Sequence, residues 1–226
     1  TCCVVANLVN GMTGPAIFAL GGQLDPENPF SYNVYGNLDS SNDVENSGLS
    51  VQADYSLGFA DLTSITAYRS SKLKTDQDSD FTSADLLSRN SNDTDIDTFT
   101  QEVRLTSNGD GPVDWMVGGF YFDESVDIEN EIFYGQDIRG YIDFLSQGLL
   151  TGLEPIIFNV PEGFFFQPGQ GMTEAYGQDN TAFSLFGTLD YHVTDRLTAT
   201  VGLNYTQDNK DAYGRVVSTD TFSAID

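Results

Sequence analysis

The feature that narrows this chain most is alternation sustained far beyond an ordinary strand. Apolar and polar residues alternate for about 13 to 17 positions in several segments, where a globular strand runs about 5 or 6. The clearest case is "LFGTLDYHVTDRLTATVGLNY", from Leu185 to Tyr205. A three-residue loop at Thr194-Asp195-Arg196 predicts Val193 opposite Leu197, Tyr191 opposite Ala199 and Leu189 opposite Val201. Gly187 then meets Leu203, and Leu185 meets Tyr205, so that whole face is apolar or glycine. His192 with Thr198, Asp190 with Thr200 and Ser184 with Thr206 make the other face. A slip of one residue would exchange the two faces, so the pattern pins the register.

Two more hairpins read the same way. In "LSVQADYSLGFADLTSITAYR", Leu49, Val51, Ala53, Tyr55 and Leu57 share a face. A turn at Phe59-Ala60-Asp61 predicts Tyr55 opposite Ile65 and Ala53 opposite Ala67, leaving Leu62 and Tyr68 on the polar side. In "TFTQEVRLTSNGDGPVDWMVGGFYF", Phe99, Val103 and Leu105 continue through the turn chemistry of "SNGDGP" into Trp115, Val117, Gly119 and Tyr121. Glu102 and Arg104 occupy the opposite face, which suits water and not a dry core.

The connections are unequal. Hairpins near residues 45–78, 94–128 and 179–211 close through short turns, while long segments near 1–44, 79–93, 129–178 and 212–226 lie at the other end. Short turns at one end and long loops at the other are the asymmetry of an outer-membrane barrel, whose strands need about 9 to 11 residues to cross the bilayer. The expected fold is therefore all-β: an antiparallel up-and-down transmembrane β-barrel segment of about six long strands, or seven if "SYNVYGNL" joins. The apolar faces then point at lipid. A soluble, carbohydrate-binding β-sandwich is the alternative, with those faces buried against each other. Bacterial barrels begin at about eight strands, so six or seven read as a piece of a larger one.

Composition removes other classes. The formal charge of −25 over 226 residues, with a pI near 4.1, leaves no basic patch for nucleic acid. No apolar run reaches the roughly 18 residues of a membrane-spanning helix. The only cysteines, Cys2 and Cys3, are adjacent and make no zinc site alone. His192 is the only histidine, and no acid, base and nucleophile assemble around it, so no enzyme is expected.

Two local features invite ligands. Asp76, Asp78 and Asp80 lie two apart, as do Asp93, Asp95 and Asp97. Pairing Asp80 with Asp93 across a loop would stack carboxylates against carboxylates, a repulsion that Ca²⁺ would relieve and that salt would screen. Divalent bridging to lipopolysaccharide is a related use. In the longest loop, Ile138, Tyr141, Ile142, Leu145 and Leu149 recur at helical spacing and predict a short amphipathic helix. Tyr134 and the run Phe164, Phe165 and Phe166 then offer aromatic surface, either to grip a solute or to pack as the loop's own small core.

Three segments, "LTSITAYR", "FTQEVRLTSNGDGPVDWMVGGFYF" and "AFSLFGTLDYHVTDRLTATVGLNYTQDNKD", in this order, resemble TonB-dependent receptors over roughly residues 45–128 and 179–211. The resemblance implies a 22-stranded barrel in the outer membrane of a Gram-negative bacterium, closed by an N-terminal plug and energised through TonB. Neither the plug nor a terminal strand ending in an aromatic residue is visible, so the chain is expected to be an internal barrel portion. The implied function is active import of a scarce nutrient, with a ferric siderophore the commonest solute and no cofactor required. A passive porin is the competing membrane function.

Overall fold

Long alternating segments can satisfy their backbone groups only by pairing, and they do so in the simplest order. The computed structural model describes residues 11–24, 30, 32–109 and 111–223, so Cys2 and Cys3 lie outside the described residues. Six strands form one antiparallel sheet in chain order: β1 (Ser41–Ser56), β2 (Ala60–Asp76), β3 (Leu87–Ser107), β4 (Val113–Tyr134), β5 (Gly171–Thr194) and β6 (Leu197–Ser218). The sheet is open, with β1 and β6 at its edges. Residues 32–40 add no seventh strand. There Asn37 turns its backbone N–H to Asp78 Oδ2 at 3.1 Å and its side-chain amide to Asp85, contacts that replace a ladder.

The strands outrun the apolar alternation. β5 has 24 residues and β4 and β6 have 22 each, about 70 to 80 Å of extended chain against a hydrocarbon layer of about 30 Å. The 129–178 interval accordingly shrinks to a connection of residues 135–170, because β4 and β5 keep pairing up to Phe133 and Gly171.

Exposure alternates along β3: Asp93, Asp95, Asp97 and Phe99 are exposed, while Asn92, Thr94, Ile96, Thr98 and Thr100 between them are half-buried. A flat sheet would expose both faces alike. The sheet therefore curves, with the face of Thr98 and Thr100 on its concave side and that of Phe99 on its convex side. Registers carry these assignments across to β4, where Tyr121 and Val117 are convex and Phe120 and Phe122 concave.

The convex face divides sharply along each strand. On β6 it reads Leu197, Ala199, Val201, Leu203 and Tyr205, then Gln207, Asn209 and Asp211. Its outer limit is aromatic on five strands: Tyr68, Phe99, Tyr121, Phe183 and Tyr205. Tyr68 faces Phe99 directly and Tyr121 faces Phe183, while the Phe99 and Tyr121 rings approach to 6.2 Å. Among the described residues, no charged side chain shares the convex face between this girdle and the short turns. Its polar exceptions satisfy one another: Thr66 donates to Gln101 Oε1 at 2.5 Å, and Gln101 Nε2 donates to Ser64 at 3.0 Å. Leu203 is 81% exposed and Leu49 73%, so this face has no protein cover. No helix among the described residues is long and apolar enough to cross a membrane.

Three expected registers can be compared with the sheet. The β5–β6 pairs occur as read, from Tyr191 with Ala199 to Leu185 with Tyr205. The turn is tighter than the three-residue loop, because Thr194 pairs with Leu197 and the register shifts between His192 and Thr194. The β1–β2 hairpin is a correction: Tyr55 faces Leu62, and Leu49 faces Tyr68. The turn is Leu57-Gly58-Phe59, closed by Leu57 N–H donating to Ala60 O at 2.8 Å, and Gly58 takes φ +87°, where a side chain would be strained. That shift brings Leu62 and Tyr68 onto the apolar face. The acidic register is also corrected. Asp93 faces Lys74, Asp95 faces Lys72, Asp97 faces Ser70, and Asp80 lies in the loop beyond β2.

Candidate functional site

Apart from Ala60 at the start of β2, the buried apolar side chains gather at the outer end, not within the sheet. A short helix α1 (Thr13–Ala19) precedes β1, and the β4–β5 connection carries α2 (Ile138–Leu145), α3 (Leu149–Leu153) and a π-helical turn (Glu154–Phe158). Ile17 of α1, Ala84 and Leu86 of the β2–β3 loop and Ile138 of α2 form one core, with Tyr134, Tyr141, Ile142 and Phe166 packed against it. The helix predicted from Ile138, Tyr141, Ile142 and Leu145 is α2, and its spacing puts one apolar face on this core. Leu149 falls in α3 and is exposed.

A second cluster surrounds Phe165, which is 2% exposed. Its ring meets Phe158 at 5.2 Å, Phe164 at 5.3 Å and Phe222 at 5.5 Å, each near-perpendicular. Phe166 stacks between Tyr134 at 5.7 Å and Phe222 at 4.9 Å. Phe165 is thus lobe core, Phe166 joins that core to the wall of the sheet, and Phe164 keeps an exposed edge. The Tyr134 hydroxyl donates to Asp220 Oδ2 at 3.3 Å, and burial together with that carboxylate pushes its pKa up.

Two carboxylates organise the lobe. Glu154 is fully buried and accepts from Arg139 on both oxygens, at 2.5 and 2.8 Å, and from the N–H groups of Gly163 at 2.6 Å and Phe165 at 3.0 Å. Burial raises its pKa, but these charge-assisted bonds outweigh it and the net shift is downward. Arg139 also donates to Thr151 and to the Phe165 carbonyl. Asp80, 8% exposed, accepts from the N–H groups of Thr82, Leu86 and Leu87. Burial dominates there and raises its pKa despite those donors. Sequence reading missed the Arg139–Glu154 pair. The available signal was that Arg139 is the only lysine or arginine between Arg104 and Arg196.

The acidic residues do not converge. Lys74 Nζ lies 3.1 Å from Asp93 and Lys72 Nζ 3.4 Å from Asp95, while Tyr68 donates to Asp97 at 2.7 Å. Asp76 pairs with Ser91, and Asp78 accepts from Asn37. Among the described residues, no group of three or more His, Cys, Asp or Glu side chains is placed to hold a metal ion. At the opposite end, His192 sits between Asp114, 2.8 Å from Nε2, and Thr198, 2.9 Å from Nδ1, on the concave face beside the turns.

An uncharged, aromatic-edged convex band, long polar strand extensions and a folded lobe at one end describe a membrane barrel wall with an outer cap. The family model "TonB dependent receptor-like, beta-barrel" matches residues 7–225. The chain belongs to that family. No curated protein matches it. As part of a TonB-dependent receptor barrel, the sheet is embedded in the outer membrane, with its convex band against lipid. Receptors of this family are transporters that engage TonB. In such a barrel the lobe built on α1, α2 and Phe165 stands at the end with the long loops, which is the outside of the cell.

Proposed function

We propose that this chain is the barrel portion of an energised importer that takes a scarce, bulky solute from outside the cell. The observation that carries this reading is the pairing of a membrane-level band with a pre-folded outer lobe. A band alone makes a channel wall, whereas Tyr134, Phe164 and Phe166 beside the concave face supply aromatic surface at the entrance. A ferric siderophore is the solute class that the resemblance implies, and lipopolysaccharide is the neighbour expected around the polar strand extensions. The test is uptake of labelled solute by cells expressing the full receptor, with and without an uncoupler. Uptake abolished by the uncoupler supports active import, and uptake indifferent to it would make the barrel a passive pore.

A further inference from the structure

The lipid-facing band carries its polar side chains in one place. Thr66 of β2 and Gln101 of β3 face each other directly, two residues below the girdle pair Tyr68 and Phe99. Ser64 follows two residues further down β2. The rest of the convex face between girdle and turns is apolar, aromatic or glycine, apart from Ser107 at the turn end of β3. Polar side chains that face hydrocarbon are costly, so three of them gathered at one spot point to a partner.

Their mutual bonds satisfy most of what they carry and leave a definite remainder. Thr66 gives its hydroxyl proton to Gln101 Oε1. Gln101 Nε2 gives away both of its protons, to Ser64 Oγ and to the Glu102 carbonyl, at 3.0 Å each. The Ser64 hydroxyl proton goes to none of the described groups. The trio therefore offers lipid one donor, on Ser64, beside free lone pairs on Thr66 Oγ1 and Gln101 Oε1. All three side chains are half-buried, so part of each is open to the lipid side. Ala53 stands opposite Ser64 on β1, and its single methyl leaves that hydroxyl uncovered.

Depth selects what can meet these groups. Aromatic girdle residues lie at headgroup level, and this girdle is on the long-loop side of the band, so the adjoining leaflet is the outer one. In a strand inclined as barrel strands are, Thr66 and Gln101 lie about 5 Å below the girdle and Ser64 about 10 Å. Phosphates and sugars stay above that depth, whereas the first carbons of acyl chains reach it. An ester or amide carbonyl there only accepts, and can use the Ser64 proton alone. A hydroxyl on the chain beside its linkage accepts from Ser64 and also donates to Gln101 Oε1 or Thr66 Oγ1.

We infer that Ser64, Thr66 and Gln101 form a notch on the outer wall that binds a β-hydroxyacyl chain of lipopolysaccharide. The notch continues the lipid contact of the convex band, and it holds whatever solute the barrel carries.

The experiment uses the full receptor in detergent, offered two synthetic glucosamine phosphates that differ only in carrying β-hydroxymyristoyl or myristoyl chains. Native mass spectrometry should show the hydroxylated lipid retained about three- to tenfold better. Ser64→Ala, Thr66→Val and Gln101→Leu together remove every hydrogen-bonding group of the notch and should bring the two lipids level. Leu189→Ala, elsewhere on the same lipid face, should leave the preference intact. Heat-shifted mobility on gels reports whether each variant is folded. Equal retention of the two lipids by the unaltered receptor would overturn the inference, whether the notch then proves bare or covered by a co-purifying protein. A preference that survives in the folded triple variant would overturn it too.

Discussion

Tyr55 on β1 faces Leu62 on β2 directly. This single pairing places Leu62 and Tyr68 on the lipid side and sends Ile65 and Ala67 to the concave side, opposite Gln52 and Ser50. It is open to a direct chemical check. With Cys2 and Cys3 replaced by serine, Tyr55→Cys combined with Leu62→Cys should cross-link under mild oxidation, because directly opposed Cβ atoms come within about 4.5 to 5.5 Å. Tyr55→Cys with Ile65→Cys should not. A cross-link in the second pair alone would restore the turn at Phe59-Ala60-Asp61.

The boundary between band and strand extension should show in the energetics of arginine. Val201 and Asn209 share the convex face of β6, on opposite sides of Tyr205. Val201→Arg should cost about 2 to 4 kcal/mol and Asn209→Arg about 0 to 1, measured by urea unfolding of the full receptor from lipid vesicles. Equal costs would mean that Tyr205 does not mark the edge of the hydrocarbon.

Glu154 is enclosed with its charge satisfied, so replacing it removes one half of a buried pair. Glu154→Gln leaves Arg139 without its carboxylate and should destabilise the lobe by about 3 kcal/mol. Hydrogen exchange at Gly163 and Phe165 should then accelerate by about two orders of magnitude, while amides of the strands stay protected. Unchanged exchange at those two amides would show that the lobe does not depend on the pair.

The two lobe carboxylates should respond to acid in opposite senses. Glu154 is held below its ordinary value of 4.5, so it stabilises the lobe above that value, and the contribution is lost as pH falls through the lower folded pKa. Asp80 is held above its ordinary value of 3.8, so its ionised form costs stability at neutral pH. That cost is relieved as pH falls through the raised folded pKa towards 3.8. Hydrogen exchange followed against pH should therefore show the β2–β3 loop gaining protection on acidification and the Phe165 region losing it. Asp80→Asn should abolish the first effect and leave the second.

What could be read in advance follows from where physics acts locally. The β5–β6 register was legible because every paired lipid-face position from Leu185 to Tyr205 is apolar or glycine, and a slip would put Asp190 in lipid. The β1–β2 register was not, because Ser64 and Thr66 interrupt the lipid face and bond to Gln101 on β3, a partner 37 and 35 residues away respectively. The acidic face was visible, but its lysine partners were hidden by counting Asp80 as strand. Helix α2 showed in its spacing. Arg139 and Glu154 did not, since they lie 15 positions apart on separate short helical segments and no single periodicity links such a buried ion pair. The aromatic run from Phe164 to Phe166 offered two roles, and backbone geometry divided them: Phe165 faces inward, and Phe166, at φ 55°, turns towards Tyr134.

The aromatic girdle also records an angle. Between β2 and β3 it follows a direct pair, Tyr68 with Phe99, but from β3 to β4 it steps back two residues, since Phe99 faces Asp123 and the girdle residue is Tyr121. The same happens between β5 and β6, where Phe183 faces Gln207 and the girdle residue is Tyr205. The membrane surface therefore slips, on average, one residue along the chain for each strand crossed. With about 3.3 Å per residue and about 4.8 Å between strands, the strands lean about 35° from the bilayer normal, the inclination at which a closed barrel has as much shear as strands. The nine residues from Leu197 to Tyr205 then rise about 22 Å, close to the roughly 25 Å apolar height of an outer-membrane wall.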